Sequence, residues 1–203
     1  MENPALLILV KNPIAGKTKT RLAASVGHAR ALEIYVELMR YTREASMGLT
    51  GVTKYLYYSQ FVDDADDWSN SDFIKMVQVG SDLGVRMATA LDRALARGHR
   101  GAVIIGSDCP KLSTAILAEA FDRLNDVDLV VGPAVDGGYY LLGLRHPQPY
   151  LFADMTWSTE DVRTVTLARA EQRGLRVHLL PVLSDVDRLE DWEREVEGKK
   201  NSL

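Results

Sequence analysis

Lys11, Lys17, Lys19 and Arg21 crowd one short segment, KNPIAGKTKTR, between the apolar run ALLILV and the start of a helical pattern. In a strand-to-helix turn, free backbone N–H groups and the positive end of the helix dipole already favour an anion. Cations added at that point suit phosphate. Pro13 lies within the turn, Gly16 lets the main chain approach a ligand, and Thr18 and Thr20 offer hydroxyls. The Arg21 guanidinium can hold two phosphate oxygens at once. A solvated lysine loop is the competing reading, and the position directly after a buried strand favours the anion site. Two better-known phosphate motifs do not match. A P-loop requires glycine where Lys11 stands, and no G-x-G-x-x-G follows the first strand.

The carboxylates form a second group. Asp108, in GSDCP, follows the apolar run AVII, at the carboxyl end of a strand where open α/β sheets bind ligands. It is either a cap for the next turn or a ligand for a hard metal ion. Magnesium takes six oxygens, commonly one or two carboxylates with water and substrate phosphate completing the set. Asp187, in SDVDRLED beyond LRVHLLP, is the partner candidate, with Asp185 beside it. The alternative is that Asp187 caps the helix beginning near Leu189. Glu190 and Asp191 suit the first turn of that helix and receive no further role.

Two further segments offer binding groups. GPAVDGGYYLLGL carries Asp136, Gly137, Gly138 and Tyr139, which could meet a sugar hydroxyl, a base or an acceptor, although Asp-Gly between apolar runs is also an ordinary hairpin signal. GSDLGVRM contributes Gly80 and Arg86 to the nucleotide side, while its Asp82 equally suits a helix N-cap. His28, His99, His146 and His178 lack ligand spacing. The lone Cys109 excludes an internal disulfide and a cysteine zinc site, which leaves oxygen ligands for any metal.

These groups must be positioned by alternating strands and helices. Strands are expected at 5–10, in KYLYYSQ, in FIKMVQV, in AVIIGSD and in LRVHLLP. Between them lie helices at 28–46, after a break at Gly27 from a shorter helix, and at 85–97, 115–124 and 158–173. DLVVGPA and YYLLGLR read as two strands joined by VDGG without a crossover helix, and LEDWEREVEG as a closing helix. The pattern predicts one domain over 1–203, a three-layer α/β/α Rossmann-like unit with a mixed, mostly parallel sheet.

With 203 residues, 46% of them hydrophobic, the chain can bury one core of useful size. A net charge of −4 gives no general attraction to a nucleic-acid polymer, and no apolar run approaches the roughly 20 residues of a membrane span. The first residues lack a basic leader and a cleavage signature, so a cytoplasmic protein is expected.

Together, KNPIAGKTKTRL, GSDLGVRM, GSDCP, GPAVDGGYYLLGL, FADMTWS and SDVDRLEDW resemble the bacterial nucleotide-diphospho-sugar transferases of the glycosyltransferase-A superfamily. The resemblance spans nearly the whole chain. It implies the fold of that superfamily, a transferase activity, and Mg2+ or Mn2+ bound by Asp108 and Asp187. It also implies a triphosphate-guiding loop containing Lys11, Lys19 and Arg21. The partners it implies are a nucleotide or nucleotide-sugar and a small-molecule acceptor. The opening loop departs from the glycine-rich version of many nucleotidyltransferases, so base preference does not carry over, and GSDCP lacks the D-x-D of many glycosyltransferases. Nucleotidyl transfer to a small phosphorylated acceptor is the leading expectation, with Lys19, Arg21 and Asp108 as the catalytic groups. Glycosyl transfer from a nucleotide-diphospho-sugar and a non-catalytic nucleotide-binding module are the alternatives.

Overall fold

Uncharged runs rich in Leu, Ile and Val build the four central strands, because a strand covered on both faces has no solvent side to mark with polar residues, while the strands nearer the sheet edges admit Lys54, Lys75 and His178. In the computed structural model, which describes residues 3–196, the seven strands are β1 (Ala5–Val10), β2 (Thr53–Tyr58), β3 (Ile74–Val77), β4 (Ala102–Ile105), β5 (Leu129–Pro133), β6 (Tyr139–Leu144) and β7 (Val177–Leu179). They form one sheet in the order β3-β2-β1-β4-β6-β5-β7. Only β6 runs against its neighbours, β4 and β5; the remaining pairings are parallel. The mixed, mostly parallel sheet expected from the strand–helix alternation is therefore present. The VDGG connection makes the antiparallel turn between β5 and β6.

The helices are α1 (Thr20–Met47), α2 (Leu83–Ala96), α3 (Thr114–Arg123), α4 (Val162–Gln172) and α5 (Leu189–Glu195). One apolar cluster packs Tyr35, Met39, Leu117 and Ala120 from α1 and α3 on one sheet face. A second packs Met87, Leu91 and Ala170 from α2 and α4 on the other. A third joins α1 to α5 through Leu22, Ile34, Leu38, Val186 and Trp192. That last cluster fixes the final segment of the described chain against the first helix.

α1 is kinked where expected, at Gly27, whose φ of 80° and ψ of 161° lie outside the helical region. Because β1, β2, β3, β4, β5 and β7 all point the same way, the loops that leave them gather at one edge of the sheet. No helix among the described residues is long and apolar enough to cross a membrane.

Candidate functional site

The loop after β1 is held from below by buried side chains. Asn12, 1% exposed, accepts from Gln60 N–H at 2.9 Å through Oδ1 and donates Nδ2 to the Phe61 carbonyl at 2.9 Å, so the exits of β1 and β2 are stitched together. Thr18 is also buried, and its hydroxyl donates to the Asn12 carbonyl at 3.0 Å. The phenol of Tyr35 accepts from Lys11 N–H at 2.8 Å and lies 3.1 Å from Ser107 Oγ. That hydroxyl sets the spacing between the basic loop and the residue before Asp108. Burial, reinforced by the Asp108 charge, raises its pKa well above the usual phenol value.

Lys19 has a different position from its basic neighbours. Its backbone is left-handed, with φ 53° and ψ 47°, at the entry of α1. The side chain turns inward, 6% exposed, with Nζ 2.8 Å from Asp108 Oδ1 and donating to the Val186 carbonyl at 2.6 Å. The expectation that Lys19 guides a triphosphate is corrected accordingly: its ammonium is buried between two protein acceptors. Lys11 and Lys17 are exposed, and among the described residues neither ammonium has an ion-pair or hydrogen-bond partner. Arg21 is exposed and paired with Asp187, Nη1 to Oδ2 at 2.7 Å. Thr20 is exposed in the first turn of α1, Pro13 is half-buried, and Gly16 (φ 77°) faces open space.

The acidic group arrives on the segment after β7. Val135 N–H donates to Leu183 O at 3.0 Å, and Val186 N–H donates to Asp108 O at 2.9 Å, so residues 183–186 cross the sheet edge from β5 to β4. The crossing brings Asp185 and Asp187 to Asp108. Neither Asp108 nor Asp187 is a helix cap. Ser113 caps α3 by accepting from Ile116 N–H, while Asp191 accepts from the N–H groups of Asp187 and Arg188 at 3.1 and 2.9 Å. Both capping readings are thereby set aside, and Asp191 turns out to close the turn that presents Asp187.

Asp185 is the residue of this group to which the sequence assigned no role. Its half-buried carboxyl has no side-chain hydrogen bond among the described residues. It is pushed up to about 7 by burial first and then by Asp108, Asp136 and Asp187, against the lowering effect of Lys19. Such an excess of oxygen-borne negative charge suits a hard divalent cation. Oxygen donors of this kind are chemically compatible with Mg2+ or Mn2+. Among the described residues no group of three or more His, Cys, Asp or Glu is placed to hold a metal ion. An ion here would draw most of its ligands from water and phosphate, as magnesium commonly does.

The remaining candidates divide. Asp136 joins the acidic group through its effect on Asp185, and its Oδ1 also accepts from Gly138 N–H at 2.9 Å to shape the turn. Gly137 (φ 90°) is needed for packing: a Cβ there would lie 2.1 Å from the Glu160 carbonyl oxygen. Tyr139 packs with the α2/α4 cluster, its hydroxyl buried, while Tyr140 donates to the Pro181 carbonyl at 2.9 Å. The two tyrosines go to different surroundings because the strand after the turn alternates its side chains between sheet faces. Gly80 is pressed by α2, where a Cβ would be 2.7 Å from Arg86 N, and Arg86 Nε donates back to the Gly80 carbonyl at 3.1 Å. This pair orders the β3 exit. Asp82 caps α2 through Val85 N–H at 3.0 Å. Trp157 covers core, lying over Gly84 and stacking on Phe152 at 6.3 Å. Cys109 is buried, its thiol pushed up to about 12 chiefly by that burial.

Sequence reasoning missed Asn12 and Tyr35 as the braces of the loop. Asn12 had a usable signal, an amide between Lys11 and Pro13 immediately after a buried strand; Tyr35 had none, since its spacing matched plain helix core.

Residues 44–159 match the model of a family described as an uncharacterized protein conserved in bacteria, DUF2064. No curated protein matches the sequence. Among solved structures, a candidate nucleotide-diphospho-sugar transferase of Desulfovibrio desulfuricans G20 is similar at 32% identity and a TM-score of 0.90, over 100% of this chain and 90% of that one. The Rv0371c protein of Mycobacterium tuberculosis H37Rv, solved with manganese, is 18% identical, with a TM-score of 0.52 over 97% and 98% of the two chains. A CMP:2-keto-3-deoxy-manno-octonic acid synthetase complexed with CTP shares the fold at 9% identity, with a TM-score of 0.57 over both whole chains. The resemblance drawn from the motifs, and the transferase class it implied, agree with the first of these.

Proposed function

We propose, for a chain that belongs to the bacterial DUF2064 family, that this sheet edge transfers a nucleotidyl group from a nucleoside triphosphate to a small phosphorylated acceptor. One observation carries the reading: the exposed cations Lys11, Lys17 and Arg21 flank half-buried Asp108 and exposed Asp187 on a single edge. An acceptor phosphate oxygen attacks the α-phosphorus, the bond to the bridging oxygen breaks, and pyrophosphate leaves. Lys11 and Lys17 attract and orient the phosphates, and Arg21 exchanges Asp187 for them. Such preorganised charge lowers the barrier without a protein nucleophile. Lys19 is a positioning residue that holds Asp108 and the 183–188 segment together. Asp108 and Asp187 would hold a Mg2+ or Mn2+ ion, which would supply Lewis-acid neutralisation of phosphate charge.

The test is a thermal-shift series with the four nucleoside triphosphates and several nucleotide-diphospho-sugars, each with and without magnesium. A magnesium-dependent rise with a triphosphate is expected, corresponding to about 2.7 kcal/mol when ligand is at a hundred times its dissociation constant. Pyrophosphate release with phosphorylated acceptors then reads turnover, which Asp108→Asn should reduce on the order of a hundredfold. The likeness to the Desulfovibrio protein favours glycosyl transfer as the second reading. A shift confined to diphospho-sugars would decide for it, and no shift with either ligand class would remove the nucleotide reading.

A further inference from the structure

Four Phe, three Trp and eight Tyr make up the aromatic residues, and all of them but one are buried or half-buried. The exception is Phe61, half exposed at 50%, in the loop that leaves β2. Its backbone is not free to move with its side chain. Phe61 N–H donates to Asn12 Oδ1 at 3.4 Å and its carbonyl accepts from Asn12 Nδ2 at 2.9 Å, so a buried amide of the basic loop grips both sides of the residue. The β1 exit, with Lys11, and the β2 exit, with Phe61, are thus one rigid unit.

The next exit along the sheet, from β3, is tied to the same unit. Gln78 Nε2 donates to the carbonyls of Val10 and Tyr57, each at 2.9 Å, and Gln78 N–H donates to Tyr58 O at 2.8 Å. It carries Val79, 47% exposed, so two adjacent exits offer apolar surface beside the phosphate-attracting cations. A flat, uncharged ring held at a fixed distance from a phosphate loop is the arrangement that stacks a nucleobase, and stacking is tolerant of base identity because every base has a π-face.

We infer that Phe61 is the stacking platform for the base of the nucleotide whose phosphates the basic loop receives. The inference rests on the nucleotide reading of the site and adds its base subsite. It also carries a consequence for selectivity: Phe61 contributes affinity shared by all four bases, and discrimination among them must come from other groups.

The experiment is isothermal titration of the full chain with ATP, GTP, CTP and UTP in magnesium, and with inorganic tripolyphosphate as a base-free probe. Comparison is made with Phe61→Ala and Phe61→Trp. The exposed position keeps both variants folded, which their unfolding temperatures check. Phe61→Ala should weaken the nucleoside triphosphates on the order of tenfold and leave tripolyphosphate unchanged, whereas Phe61→Trp should retain nucleotide affinity. Equal nucleotide affinity in wild type and Phe61→Ala would overturn the stacking role, as would an equal loss for tripolyphosphate. Wild type that binds tripolyphosphate but no nucleoside triphosphate sinks the base subsite alone. Binding of neither ligand removes the nucleotide reading and the subsite together.

Discussion

Lys19 and Arg21 stand two residues apart and reach aspartates at almost equal distances, 2.8 and 2.7 Å, yet the two pairs differ physically. The Arg21 and Asp187 side chains are 64% and 52% exposed, so water and salt compete with the pair, and little stability depends on it. Lys19 is enclosed, and its ammonium also satisfies the Val186 carbonyl. Distance alone does not rank ion pairs; the solvent around them does. The exposed pair can open to a ligand at little cost, while the buried one holds two loops in register.

The comparison can be broken most directly at Lys19. Lys19→Met leaves the Val186 carbonyl unpaired and removes a cation acting on Asp185, so stability should fall by about 2–3 kcal/mol in denaturant unfolding. Breaking this pair costs less than breaking a fully buried one, because Asp108 is 43% exposed and can rehydrate. A loss under about 0.5 kcal/mol would put Lys19 in the same class as Arg21. Adding Asp108→Asn to Lys19→Met should recover part of the loss, since neighbours that share an interaction are not additive. Strict additivity would mean that the pair is not coupled.

Tyr35→Phe should cost about 1 kcal/mol, because the phenol joins Lys11 and Ser107 but the ring keeps its packing. The accompanying reading is a weaker affinity for tripolyphosphate, which a purely structural phenol would not affect. Arg21→Ala should have the smallest effect on stability, under about 0.5 kcal/mol. Its effect is expected in binding, where triphosphate affinity falls by about tenfold, with wild-type affinity decreasing as salt rises. An Arg21→Ala variant that unfolds easily but binds normally would reverse the roles assigned to the two pairs.

Much of the architecture was legible in the chain. The apolar runs and the 3.6-residue spacings placed all seven strands and the five helices near their observed positions, and Gly27 announced the kink in α1. The site was legible in part. Asp108 and Asp187 stood out as carboxylates after apolar strands, and both lie at the carboxyl edge of the sheet. Tyr139 was misplaced because the face on which a strand residue emerges is set by register, and a hairpin signal does not state register. Gly137 and Gly80 were read as substrate- and nucleotide-binding positions, but a glycine also makes room for protein, in these cases Glu160 and the first turn of α2.

The sequence by itself determined that a basic turn and separated carboxylates would collect at the carboxyl edge of a mostly parallel sheet. Local periodicity and strand direction are sufficient for that. Only the tertiary structure decided which cations remain available: Lys19 and Val186 are 167 residues apart, and their hydrogen bond exists because the segment after β7 crosses the edge to β4. An ion pair within such a crossing depends on where two distant loops meet and how much water they exclude, and neither quantity is carried by the residues nearby in the chain.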